Sequence, residues 1–292
     1  MKFDQPLSMS EALEAKNAYP EAVPIRGGTD VMVELNFARS RPDVVLDLSR
    51  VEELEEWGTE DGRLRVGAGV SYTRIIEELG DHLPGLAMAS RTVGSPQIRN
   101  RGTVGGNLGT ASPAGDALPP LYASEAEVEV VSIDGSRRVP VADFIRGPKE
   151  NALAPNELIS AFYIAPANGP QQYSKIGTRN AMVIAVCAFA LAIHPEKGQI
   201  GTCIGSAGPT PIRAVEAERF VQGVVEEDGL WETRAAIPDA ALRWFGELVA
   251  GAARPIDDVR GTAEYRRHSV GVLARRALGW AWDEYRGAES AA

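Results

Sequence analysis

Cysteine is almost absent from this chain of 292 residues, which holds only Cys187 and Cys203. Two thiols that form no Cys-x-x-Cys pair exclude an iron–sulfur cluster and a dithiol redox centre on this chain. Cys187 lies inside an apolar run, where a free cysteine acts as a small buried hydrophobe. Histidine is nearly as scarce: His82, His194 and His268 stand far apart with no ligand set around them, which argues against a metal site and against a Ser-His-Asp triad. No apolar run approaches the ~18–20 residues of a membrane span; the nearest, Ala181 to Ile193, stops at His194-Pro195. Positive charge is in deficit, with 30 Lys and Arg against 40 Asp and Glu, a formal net charge of -10 and a pI near 5.0. That balance disfavours nucleic acid and anionic membrane surfaces as partners. The first residues, Met-Lys-Phe-Asp-Gln-Pro, carry no apolar export segment, so the expected location is the cytoplasm.

What remains is ordinary globular composition, 44% hydrophobic and 24% charged, on a length that suits roughly two domains. With acid–base and metal constellations missing, the chemistry must come from a bound organic cofactor. The most informative run extends from Arg99 to Asp116 and contains Thr103-Val104-Gly105-Gly106-Asn107, then Thr110, Ser112 and Asp116. It has few large side chains, and its glycine content predicts neither a helix nor a packed strand. It offers backbone N–H donors, short hydroxyls, one amide and one carboxylate, which suit an anion rich in acceptor oxygens such as a diphosphate. A second glycine-bearing run, Pro24-Ile25-Arg26-Gly27-Gly28-Thr29-Asp30, lies earlier in the chain. Two such runs could grip the two halves of one dinucleotide.

Helical and extended patterns alternate around these runs. Ser10-Glu11-Ala12-Leu13 opens a short helix ending near Tyr19-Pro20, and Ala22 to Ile25 reads as a strand entering the first run. Asp30 is placed to cap a helix through Val31, Val33 and Leu35. Strands are expected at Val44–Asp47 and Leu64–Val66, and helices at Ser71–Leu79 and Pro84–Val93. Glu127 to Ile133, Asp134-Gly135 and Arg137 to Val141 predict a hairpin with an Asp-Gly turn. Pro166 to Pro170 reads as a linker, followed by a strand at Gln172–Ile176, the apolar run, and Gln199–Ser206. A helix is expected from Pro211 to Val221, little pattern from Gly223 to Pro255, and a long helix from Thr262 to Tyr285 with Val270, Leu273, Ala277 and Leu278 on one face. The layout is α+β.

Several candidates have plain readings. Gly67-Ala68-Gly69-Val70-Ser71-Tyr72 imitates a dinucleotide fingerprint, but Tyr72 occupies the position that needs a small residue, and no acid follows at the ribose distance. Turn geometry is the better account. Gly27-Gly28 fits a tight strand-to-helix turn as well as a binding loop. Lys175 reads either as a general-base or Schiff-base lysine or as a cofactor contact; with no acid partner visible in the sequence, contact is preferred. Glu226-Glu227-Asp228 reads as a solvated turn. Arg266, Arg267, Arg275 and Arg276 fit a docking face or a solvated helix paired with Glu264 and Asp283.

The two runs together resemble the FAD subunit, or FAD domain, of molybdenum-containing hydroxylases, the group that includes xanthine dehydrogenase and carbon monoxide dehydrogenase flavoproteins. The Ile98-Arg99-Asn100…Gly102-Thr103-Val104-Gly105-Gly106-Asn107…Ala111-Ser112-Pro113…Asp116 block carries most of the resemblance. It continues through Asp143-Phe144 with Gly147, Glu157-Leu158-Ile159, Lys175, and Arg260…Tyr265-Arg266.

The resemblance implies a vanillyl-alcohol-oxidase/p-cresol-methylhydroxylase type of FAD-binding fold over residues 1–168, of two α+β subdomains. A smaller α+β C-terminal domain over 169–286 and a tail at 287–292 follow. It implies that Pro24, Ile25, Arg26, Gly27, Gly28, Thr29, Asp30 and Val31 wrap the diphosphate of a non-covalent FAD. Thr103, Val104, Gly105, Gly106 and Asn107 would cover it from the other side. Thr110 and Ser112 would add hydroxyl contacts, Asp116 would meet ribityl or ribose hydroxyls, and Leu158 and Lys175 would lie along the cofactor. Val93 stands where family members can place an aromatic beside the flavin, and a valine cannot stack. Met182-Val183 stands where relatives often carry an acid.

It further implies a large molybdopterin-binding partner, a small [2Fe–2S] partner, NAD⁺ as a possible acceptor, and a dimer of heterotrimers. The Gly-Gly-Thr-Asp form at 27–30 resembles the xanthine type more than the Gly-Gly-His-Ser form of carbon monoxide dehydrogenases. Rival readings are a self-sufficient flavoenzyme and a flavin-free structural subunit of the same fold.

Overall fold

The computed structural model describes residues 1–39 and 41–287. The expected tail therefore lies outside the described residues, apart from Gly287. The chain forms two compact units, and chain order does not follow them: Met1–Glu77, Gly94–Ser112 and Ala126–Ala165 make one, while Glu78–Val93, Pro113–Glu125 and the stretch from Pro166 onward make the other.

The first unit contains a parallel three-stranded sheet, in which Val44–Asp47 lies between Lys2–Asp4 and Val23–Ile25. It also contains an antiparallel five-stranded sheet in the order Trp57–Glu60, Arg63–Gly67, Leu158–Ile164, Glu127–Ser132, Gly135–Pro140. The Asp-Gly turn joins the last two of these, with Gly135 at φ 141. The helix Met9–Ala18 is capped by Ser8, whose side chain accepts from the Glu11 amide, so the helix begins before the expected Ser10. Ala12, Ala22, Leu46, Leu48, Leu54 and Leu158 form part of one buried cluster beneath it. The glycines of the imitation fingerprint serve this packing: a Cβ on Gly67 would strike the Leu54 carbonyl, and one on Gly69 would meet the Arg26 Nε at 2.9 Å.

The second unit is built on an antiparallel sheet with Cys187–His194 between Gln171–Ile176 and Gln199–Gly205. The central strand is buried on both faces, which is why the sequence shows an unbroken apolar run rather than alternation. Cys187, Phe189, Leu191 and Ile193 face one way, into a core with Phe245, Val249, Val270, Ala277, Leu278 and Trp282. Ala188, Ala190 and Ala192 face the other way, against Ala89 and Ala123. Small residues are needed there because two helices, Pro84–Thr92 and Leu118–Ala123, approach the sheet closely: a Cβ on Gly205 would lie 2.7 Å from the Pro119 ring.

The expected long helix forms as Ala263–Gly287, with Val270, Leu273, Ala277 and Leu278 buried. It crosses a second helix, Asp239–Ala252, at Gly246 and Gly271, where a Cβ on Gly246 would lie 2.7 Å from the Gly271 carbonyl. That second helix falls where little pattern was expected. The helix expected from Pro211 starts instead at Val215 and runs to Glu227, because Ile212 exchanges backbone hydrogen bonds with Ile204 and stays extended. Among the described residues, no helix is long and apolar enough to cross a membrane.

Candidate functional site

All the expected site residues except Asp116 and Lys175 fall in the first unit. The second glycine run is not the irregular ribbon its composition suggests: Pro96–Arg101 and Val104–Thr110 are helices. Thr103 makes the later one possible. Its side chain accepts from the Gly106 amide at 2.9 Å, and its carbonyl accepts from the Asn107 amide at 3.1 Å. Ala111 closes the helix in the left-handed region at φ 49.

The glycines of this helix have two distinct jobs. Gly105 is buried, and a Cβ there would collide with the backbone and side chain of Ala68. Gly106 and Gly109 are exposed; a Cβ on Gly106 would have only the Thr103 hydroxyl within reach, at 3.3 Å. The helix thus presents a face bare of side chains at Gly106 and Gly109, flanked by the half-buried Asn107 and Thr110. Val104 is buried behind it, and Ser112 is half-buried beyond its end.

The strand Val23–Ile25 delivers the first run to the same place. Pro24 is exposed, while Ile25, Thr29 and Val31 are half-buried. Gly27 rests directly on the backbone of Arg101, with no room for a Cβ, and Gly28 turns the chain at φ 73. Asp30 precedes the helix Val31–Asn36 but does not cap it, because its own backbone is already in the helical region at φ -108, ψ -53. Its carboxylate instead accepts from the Thr110 hydroxyl at 3.5 Å, joining the two runs. The Arg26 guanidinium pairs with Glu55, and its Nε–H is buried without an acceptor. Leu158 is 2% exposed and packs in the core behind the runs.

In the second unit, Asp116 and Lys175 find each other. Lys175 Nζ lies 2.6 Å from Asp116 Oδ2 and donates to the Thr92 carbonyl at 3.1 Å. The Tyr173 hydroxyl donates to Asp116 Oδ1 at 3.0 Å. Lys175 therefore has the acid partner that the sequence left invisible. Burial pushes the Asp116 carboxyl above its ordinary range, and the Lys175 ammonium and Tyr173 hydroxyl oppose that by stabilising the carboxylate. The arginines of the last helix also divide: Arg266 is buried, donating to the Ser206 carbonyl at 2.7 Å and pairing with Asp258, whereas Arg267, Arg275 and Arg276 are exposed.

Burial pushes the Cys187 thiol up to about 12 and the Cys203 thiol well above its ordinary value, so both are inert. No group of His, Cys, Asp and Glu able to hold a metal ion occurs among the described residues. Sequence reasoning missed the hairpin of Ile145–Gly147 and Glu150–Asn151, which touches the end of the second run. Its only local signal is the Gly147-Pro148 turn.

Residues 1–167 match the FAD binding domain in molybdopterin dehydrogenase, and residues 172–281 match the CO dehydrogenase flavoprotein C-terminal domain. The chain is 32% identical, over 76% of its length and 79% of the relative's, to the nicotinate dehydrogenase FAD-subunit of Eubacterium barkeri. It is 28% identical, over 94% of each chain, to a putative xanthine dehydrogenase FAD-binding subunit of Escherichia coli. A chain of carbon monoxide dehydrogenase from Hydrogenophaga pseudoflava superposes with a TM-score of 0.88 over 98% of both chains at 25% identity. The architecture is thus an FAD-binding domain followed by a C-terminal flavoprotein domain.

Proposed function

Because this chain belongs to the family of FAD-binding domains in molybdopterin dehydrogenases, we propose that it is the flavin-bearing, electron-transferring subunit of a multi-subunit molybdenum hydroxylase. One observation carries the reading at residue level: two runs poor in side chains meet in one unit, joined at Gly27 and Arg101 and at Asp30 and Thr110. The donor set fits FAD. Gly106 and Gly109 leave space that a side chain would fill, so backbone can approach a diphosphate; Asn107, Thr110 and Ser112 add polar atoms at the edges. The Asp30 carboxylate suits a sugar hydroxyl rather than a phosphate, since it can only accept. Pro24 to Val31 form the other wall, with Leu158 packed behind. In the second unit, Lys175 and Tyr173 each engage one carboxylate oxygen of Asp116 and hold it in one orientation.

Bound there, FAD supplies two-electron redox chemistry that the chain's own side chains lack. The chain's contribution is to hold the cofactor non-covalently and exclude other ligands; neither run contains a histidine, cysteine or tyrosine for a covalent link. The proposed partners are a large molybdopterin-binding subunit, which oxidises the substrate, and a small [2Fe–2S] subunit, which relays electrons. The proposed final acceptor is NAD⁺ or another oxidant. A division near residue 168 into an FAD-binding and a C-terminal domain accompanies this reading. A purine substrate of the xanthine type is favoured by the likeness to the Escherichia coli subunit along 94% of both chains. A second reading, a heterocycle dehydrogenase of another kind, is favoured by the 32% identity to the nicotinate dehydrogenase subunit.

The test is direct. The purified full chain should be yellow, with flavin released on denaturation; a colourless chain that takes up no added FAD would refute the assignment. Native copurification should bring down two further chains with molybdenum and iron, and turnover with purines and NAD⁺ would then settle substrate and acceptor.

A further inference from the structure

The glycine helix Val104–Thr110 is a poor helix by composition, with three glycines in the sequence VGGNLGT, and the helix Val31–Asn36 beyond the first run buries none of its residues. The glycine helix holds to the core through Val104, Gly105 and Leu108, which leaves its Gly106 and Gly109 side uncovered, and the Val31–Asn36 helix has no core anchor of its own; both border the proposed diphosphate site. Both are also bonded to the hairpin of Ile145–Gly147 and Glu150–Asn151, in the same unit.

The Asn151 amide donates from Nδ2 to the Gly109 carbonyl at 2.8 Å, and its Oδ1 accepts from the Leu153 amide at 3.0 Å, which fixes its orientation. The Lys149 amide donates to the Ala111 carbonyl at 2.9 Å. These are carbonyls at the C-terminal end of the glycine helix, where the last turn has no intrahelical donor to offer. The Lys149 ammonium reaches the other way and pairs with Glu34 on the Val31–Asn36 helix. Lys149 therefore touches both walls, through its main chain on one side and its side chain on the other. Its backbone sits at φ 61, in the left-handed region that favours glycine, so the position carries a lysine against backbone preference.

We propose that this hairpin is a clasp that, in addition to the Gly27–Arg101 contact, braces the two FAD-binding walls against each other, with Lys149 and Asn151 as positioning residues that do not touch the cofactor. This rests on the reading that the two runs hold FAD, and it adds a determinant of how long they hold it.

The test uses the full-length chain loaded with FAD, reading release by the rise in flavin fluorescence and stability by thermal melting of the flavin-free form. Lys149→Gly relieves the backbone at φ 61 while removing the ion pair, so release should quicken two- to fivefold with no fall in Tm, whereas a merely structural residue would leave release unchanged. That range is what an exposed ion pair supports. Asn151→Ala should quicken release three- to tenfold, in line with one lost hydrogen bond. The charge swap Glu34→Lys with Lys149→Glu should bring release back within twofold of the starting chain, while either single exchange should not. Unchanged release in Lys149→Gly and Asn151→Ala, in a chain whose parent binds FAD, would overturn the clasp alone. A parent chain that takes up no FAD would overturn both the clasp and the reading beneath it.

Discussion

The Lys175 ammonium and the Asp116 carboxylate form a nearly dry ion pair at 2.6 Å, their side chains 6% and 10% exposed. Such a pair is costly to break by halves, because the survivor is left charged in a poorly solvated place. Lys175→Met should lower the unfolding free energy by about 3–5 kcal/mol, read as a shift in the urea midpoint. The double variant Lys175→Met with Asp116→Leu should recover most of the loss, and a double variant as weak as the single would mean that the pair acts through something other than charge.

Adjacent glycines in the second run should respond in opposite ways. Gly105→Ala forces a methyl into Ala68 and should cost about 1–3 kcal/mol of stability, visible as a lower Tm. The Cβ of Gly106→Val meets only the Thr103 hydroxyl, and the position is exposed, so the fold should persist while FAD retention is lost. Asn107→Ala should weaken retention by about 1.5–3 kcal/mol, the worth of a hydrogen bond to a charged group. A Gly106→Val chain that purifies with full flavin would show that the diphosphate lies elsewhere.

His194 gives the second unit a dependence on pH. Burial lowers its pKa, so the folded state keeps the ring neutral, with Nε2 3.1 Å from the Ala123 carbonyl. The unfolded chain takes up a proton near the ordinary value of about 6.5. The stabilisation is therefore full above that pH and is lost as pH falls through the depressed folded value. Melting between pH 7.5 and pH 5 should show a fall in Tm that His194→Gln flattens; parallel curves for the two chains would rule the histidine out as its source.

Arg266 ties the start of the last helix to Ser206, just past the strand Gln199–Gly205, and to Asp258 in the loop before the helix, whose carboxylate also accepts from the Arg260 amide at 2.8 Å. Arg266→Met should cost about 1.5–3 kcal/mol and raise amide exchange at Asp258 and Gly261, which exchange backbone hydrogen bonds across the turn. Unchanged exchange there would show that the turn holds itself.

The parts of the fold legible in the sequence were those with one dominant cause. The apolar run Ala181–Ile193 stood out because the strand it contains, Cys187–His194, is buried on both faces, although the run alone did not name it a strand; the hairpin at Asp134-Gly135 was legible because its turn chemistry is specific. The helix Val104–Thr110 was hidden because its formation depends on the Thr103 cap and on the close approach to Ala68, neither of which glycine content reveals. The helix Asp239–Ala252 was hidden because Gly246, a poor helix former, is required at a crossing contributed by another element. The Asp116–Lys175 pair, 59 residues apart, and the contacts of Lys149 and Asn151 are tertiary facts with no local period. Which runs matter could be read from residue chemistry; what braces them could not.

Gly27 lies on the Arg101 carbonyl without space for one methyl group. At that contact neither run can thicken or shift by itself, since a displacement in one is transmitted at once to the other as a steric push. An engineer wishing to change which cofactor this scaffold accepts must redesign the pair together, as one inseparable component.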